Sequence, residues 1–76
     1  MEFEKIRAIV AQVLNIDADM ITSETKFEDD LGADSLDLFQ IITEIEMEFS
    51  ISIAPEAAEG IVTIGDAVEA LNHPNI

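Results

Sequence analysis

Apolar residues recur at helical spacing along the first stretch of the chain. Phe3, Ile6, Val10, Val13 and Leu14 fall on one stripe, and Ile9 widens it. The pattern predicts a helix over residues 3–15, with Glu2 and Glu4 suited to the positive end of its dipole. From Asn15 to Asp34 the period is lost. A loop of that length exceeds the ~12–15 residues beyond which loops in a compact domain are uncommon, and is a place to look for function. Ile16, Ile21, Phe27 and Leu31 are spaced to tack it onto a core.

A second stripe of Leu38, Ile41 or Ile42, Ile45 and Phe49 predicts a helix over residues 35–49. Asp34 stands before it as an N-cap. Asp37, three residues later, approximates a capping box, in which Glu or Gln is the usual partner. Ile51 and Ile53 alternate with polar neighbours, as in a short strand, but no second strand-like segment exists to pair with them. A loop is therefore expected over residues 50–54. Pro55 suits the first turn of a short helix closing at Gly60. Thr63 then caps a last helix holding Ile64, Ala67, Val68 and Leu71, stopped by Pro74. The elements predict an all-α four-helix bundle, three helices longer and one short, with a long first loop. Residues 1–76 read as a single domain.

Composition narrows the possibilities. At 76 residues the chain is near the lower limit for a domain that folds without a staple, and it has no cysteine to make one. Apolar residues make up 49%, too many for a disordered chain, and Leu, Ile and Val must supply most of the core. Charge changes the picture more. Seventeen acidic residues face three basic ones, for a net charge of −14 and a pI near 4.1. The cations are Lys5, Arg7 and Lys26, and none follows Lys26. Such a chain repels nucleic acid and anionic membrane and fits partners with basic patches. No run of ~18 apolar residues reads as a span, and no basic leader precedes an apolar segment. A cytoplasmic protein that does not span a membrane, working as a monomer, is the expectation.

Catalysis by these residues alone is not expected. The lone histidine, His73, lies in a tail expected to fray, far from a nucleophile it could activate. The carboxylates are so abundant that most must simply solvate the surface. A calcium loop counted from Asp17 puts Asp19 and Glu28 at its third and twelfth positions. It fails at Ile21 and Thr22, where an oxygen ligand and the turn glycine belong, so no metal site is expected.

One serine stands apart. With Asp34 as the cap, Ser35 is the first helical residue, its hydroxyl beside unpaired backbone N–H groups at the positive end of the dipole. A phosphate ester would be favoured there. The plainer reading is a capping hydroxyl, worth ~1 kcal/mol.

The run from Thr25 to Asp37, ending Gly32-Ala33-Asp34-Ser35-Leu36-Asp37, resembles the signature of the bacterial acyl carrier proteins of fatty-acid synthesis. The resemblance extends over nearly the whole chain, including Glu46-Met47-Glu48-Phe49 and the run from Ile61 to Ala67. It implies that Ser35 is the attachment point for 4′-phosphopantetheine, transferred from coenzyme A by a holo-carrier synthase. The arm's thiol would then carry growing acyl chains as thioesters, with no catalytic activity in the chain itself. Ser35 would need no internal base, because another enzyme acts on it. A polyketide or D-alanyl carrier shares the serine and the arm. An acidic helical adaptor without the arm is the alternative of another class.

The resemblance also implies a docking face for the synthase and for fatty-acid synthesis enzymes with basic patches. Its residues are Asp34, Leu36, Asp37, Gln40, Glu44, Met47, Glu48 and Glu56. Asp37, Gln40, Glu44 and Glu48 share a stripe that begins beside Ser35 and that no basic residue interrupts in sequence. Glu46 and Glu48 oppose the dipole at the helix end, a cost of ~0.3–1 kcal/mol each that suggests partner binding. Gln40 and Thr43 depart from the acid and the apolar residue common in these carriers. Finally, Ile45, Ile53, Ala58, Ile61 and Ala67 match positions that line the family's acyl-chain pocket, although plain core is the simpler role for each.

Overall fold

In the computed structural model, which describes residues 2–72, four α-helices follow one another. They are α1 (Glu2–Leu14), α2 (Ser35–Phe49), α3 (Pro55–Glu59) and α4 (Ile64–Asn72). The stop expected at Pro74 and the tail position of His73 lie outside the described residues. Among the described residues no strand forms, and the all-α bundle with three longer helices and one short one is the observed architecture. Helix α1 packs against both α2 and α4.

The apolar stripes meet where their spacing directs them. Ile6 and Val10 of α1, Ile41 and Ile45 of α2 and Ile64 of α4 are fully buried in one cluster. Each such side chain contributes ~1.5–3 kcal/mol by leaving water. The choice between Ile41 and Ile42 does not arise, because both are buried. Leu38 and Phe49 at the ends of the α2 stripe are half-buried.

The long loop is tied down by its apolar residues and folded by its polar ones. Ile21 and Phe27 are buried, with Ile16 and Leu31 packed at the margin. A one-turn 3₁₀ helix at Ala18–Met20 is capped by the Asp17 carboxylate, which accepts the Asp19 N–H at 3.0 Å. Further on, the loop clamps the start of α4. The Phe27 N–H donates to the Val62 carbonyl and the Ile64 N–H to that of Thr25, each at 3.0 Å, making one antiparallel bridge between Lys26 and Thr63. A contact one residue pair long leaves no period in a sequence.

Thr63 caps α4 as expected, its hydroxyl accepting the Asp66 N–H at 3.1 Å. The reciprocal half was not legible. The Asp66 carboxylate accepts the N–H groups of Thr63 and Val62, both at 3.1 Å. Hydrogen bonds from Thr63 and then Val62 hold the Asp66 pKa below its ordinary value of 3.8. A carboxylate depressed in the folded state stabilises above the unfolded pKa and loses that effect as pH falls through the folded one. Asp66→Ala should therefore cost ~0.5–2 kcal/mol at neutral pH. Urea melts across pH should show the difference from wild type shrinking below about pH 4.

Both long helices that precede loops end on a polar residue in the left-handed conformation, Asn15 (φ 57°) and Ser50 (φ 55°), without glycine. Gly60 closes α3 at φ −85° and so does not use the freedom for which glycine is usually chosen there. Residues 50–54 form a loop, as the missing partner strand implied. What holds that loop is Glu46, whose Oε2 accepts the Ile53 N–H at 2.7 Å. The expectation that Glu46 is a dipole cost kept for a partner is corrected by this bond, because its carboxylate serves the fold.

Candidate functional site

The approach to Ser35 is a tightly hydrogen-bonded turn. Asp30 and Leu31 donate N–H bonds to the Lys26 carbonyl, Gly32 to that of Glu28, and Ala33 to that of Phe27 at 2.9 Å. Gly32 takes φ +68°, which an L side chain rarely adopts, and this reversal drops Ala33 into the core. Buried Ala33 fixes where α2 begins.

Asp34 then caps α2, its Oδ1 accepting the Asp37 N–H at 2.9 Å while Asp37 Oδ2 accepts the Asp34 N–H at 3.4 Å. The capping box is complete with Asp in place of the usual Glu or Gln. Ser35 is the first helical residue and its side chain is exposed. The first N–H groups of α2 lack intrahelical acceptors, so a negative group on the hydroxyl would lie at the positive end of a 15-residue helix.

A cleft of about 270 Å³ opens beside the hydroxyl. Its apolar floor is Phe27, Ala33, Leu38 and Ile61, and its rim carries Glu28, Asp29, Asp34 and Glu59 with one cation, Lys26. An exposed hydroxyl with apolar-floored space next to it fits a long, flexible ester. Among the described residues no group of three or more His, Cys, Asp or Glu side chains is placed to hold a metal ion.

Residues 4–71 match the family model described as the phosphopantetheine attachment site. The chain belongs to the acyl carrier proteins. Its structure is similar to that of a proposed acyl carrier protein from Mycobacterium tuberculosis, with a TM-score of 0.90 and 41% identity over 96% of this chain and 97% of that one. An acyl carrier protein from Enterococcus faecalis matches with a TM-score of 0.80 and 34% identity, covering 97% and 94% of the two chains. Carriers of this kind are not enzymes, and the prosthetic group of the family is 4′-phosphopantetheine.

The carrier's outer α2 face differs from a plain acidic stripe. Leu36 and Met47 are 78% and 71% exposed, with Gln40 between them and Glu44 at the side. Asp37 is half-buried and committed to the cap. Glu48 Oε2 lies 3.6 Å from Lys5 Nζ of α1, so a basic residue does interrupt the stripe, by reaching in from another helix. Glu56 stands exposed in the first turn of α3. Phe39 was not anticipated. It is 70% exposed, and the wheel could have shown it, because at about 100° per residue it falls outside the stripe set by Leu38, Ile41, Ile42 and Ile45.

The five residues expected to line an acyl-chain pocket gather in the apolar interior. Ile45, Ile61 and Ala67 are buried, and Ile53 and Ala58 pack half-buried against the same cluster. Of the five, Ile61 alone lines the cleft at Ser35.

Proposed function

We propose that Ser35 carries the 4′-phosphopantetheine arm and that the carrier serves fatty-acid synthesis, as a monomeric single domain in the cytoplasm. The observation that supports this most is the exposed Ser35 hydroxyl at the first position of α2, within Gly-Ala-Asp-Ser-Leu-Asp and beside an apolar-floored cleft. Asp34 and Asp37 hold the helix start so that the hydroxyl is presented to a modifying enzyme. The arm supplies a thiol for thioester formation, which this cysteine-free chain lacks. The family match favours this reading over an adaptor without the arm. Identifying the cargo on protein purified from its source separates the pathways. Straight saturated acyl thioesters are expected, whereas D-alanine or a polyketide intermediate would assign the carrier to another pathway.

Docking is read as a mixed face. Leu36, Gln40 and Met47 form its centre, with Glu44, Asp34, Asp37, Glu48 and Glu56 as acids around it. Synthesis enzymes with basic patches would meet the acids first. Glu44 is the cleanest probe, since reversing Asp37 would break the cap and reversing Glu48 the contact with Lys5. Glu44→Lys should weaken binding to a basic partner by about two- to tenfold, and added salt should shrink the difference. Calorimetric titration at two ionic strengths measures both, and an affinity unmoved by the reversal would remove Glu44 from the face.

A further inference from the structure

Lys26 is left unused by that reading. Its backbone is fully engaged: the N–H donates to Asp30 Oδ2 at 2.8 Å, the carbonyl accepts from Asp30 and Leu31, and the residue bridges to Thr63. The side chain is exposed, and the residue lines the same cleft as Ser35. Four acidic residues share that lining, Glu28, Asp29, Asp34 and Glu59. Even so, among the described residues no carboxylate lies within 4.0 Å of the Lys26 ammonium, and the ion pair that does form joins Lys5 to Glu48. A cation among acids, paired with none of them, is available to an anion that arrives later.

We infer that Lys26 is the counter-charge for the phosphodiester of the arm and draws the arm across the cleft toward Ile61 and Val62. The inference rests on Ser35 being the attachment residue. Modification at Ser35 sets a full negative charge in a cleft whose lining carries four carboxylates, all of which repel it. The N–H groups at the start of α2 attract the phosphate along the helix axis. Lys26, the one cation lining the cleft, attracts it sideways, over the apolar floor. A compact ammonium on a flexible stem can follow the phosphate without a fixed geometry. Lys26 is thus a positioning residue for the arm.

The test uses the modified protein as wild type, Lys26→Gln and Lys26→Arg, each with a nitroxide label on the arm's thiol. Intact mass first establishes the arm on Ser35. Paramagnetic broadening of the amide signals of Glu59, Ile61 and Val62 then reports how often the arm lies over the cleft. Broadening should be clear in wild type and Lys26→Arg. It should fall roughly twofold in Lys26→Gln, the scale of an exposed ion pair, and likewise at ~1 M salt, where charges are screened beyond ~3 Å. Amide spectra that otherwise superimpose separate this from a change of fold. An unmodified Ser35 overturns both the inference and the reading beneath it. An arm on Ser35 with broadening equal in wild type and Lys26→Gln, or absent from all three proteins, overturns the role of Lys26 alone.

Discussion

Ile45→Ala should cost about 2–5 kcal/mol, because it empties a fully buried position on the inner face of α2. A domain of 76 residues has roughly 4–11 kcal/mol of stability at ~0.05–0.15 kcal/mol per residue. With a net charge of −14, self-repulsion pushes this chain toward the low end. A substantial part of the Ile45→Ala population should then be unfolded at moderate temperature and regain structure as salt screens the carboxylates. Ile45→Val removes one methylene and should cost ~0.5–1.5 kcal/mol, leaving the fold intact. Urea melts of the three proteins give these differences. A loss below 1 kcal/mol for the alanine variant would mean that α2 is not held by this side chain.

A medium-length acyl chain on the arm should raise the melting point above that of the unacylated holo form. Each methylene that leaves water contributes ~0.8 kcal/mol, so about six would give near 5 kcal/mol before costs. Ile61 lines the cleft at Ser35 but Ile45, Ile53, Ala58 and Ala67 do not, so a chain going deeper has to part the helices. The element placed to yield is α3. It has five residues, buries none of them fully, and its cap residue Ala54 makes no side-chain hydrogen bond. Parting the packing and ordering the arm consume part of the gain, leaving about 1–3 kcal/mol. At ~4–8 °C per kcal/mol for a domain of this size, calorimetry will resolve the shift. Ala58→Phe, which enlarges a half-buried side chain of α3 packed against the core, should reduce it. Equal melting points for holo and acyl forms, or a gain untouched by Ala58→Phe, would place the chain outside the bundle.

The helices were legible because burial imposes a period on them. Ser35–Phe49 was set at both ends, by Asp34 as the cap and by the last residue of the stripe. The loop was legible only as a loss of period and four apolar anchors. Its turn around Gly32 and its clamp on Val62 and Ile64 are made by backbone atoms, which every residue carries. The charges of α2 were misread where they were taken along one helix alone. Lys5 is distant from Glu48 in sequence and adjacent in space, and Glu46 bonds a backbone N–H seven residues on. Ser35 stood out because its neighbours form a specific string. Lys26 did not, since what marks it is the cleft it shares with Ser35 and the acids it leaves unpaired.

The central claim is that the Ser35 oxygen carries the arm. Its most direct test is the intact mass, followed by fragment sequencing, of wild type and Ser35→Ala after incubation with coenzyme A, magnesium and a carrier synthase. The expected result is one phosphopantetheine group per wild-type chain, located on Ser35, and no mass gain in Ser35→Ala. Since Ser35 is exposed at the first helical position, the alanine protein should melt within about 1 kcal/mol of wild type, which separates loss of the acceptor from loss of the fold. A group that still appears on Ser35→Ala, or a wild-type chain left unmodified by a synthase that loads another carrier in the same reaction, would contradict the account.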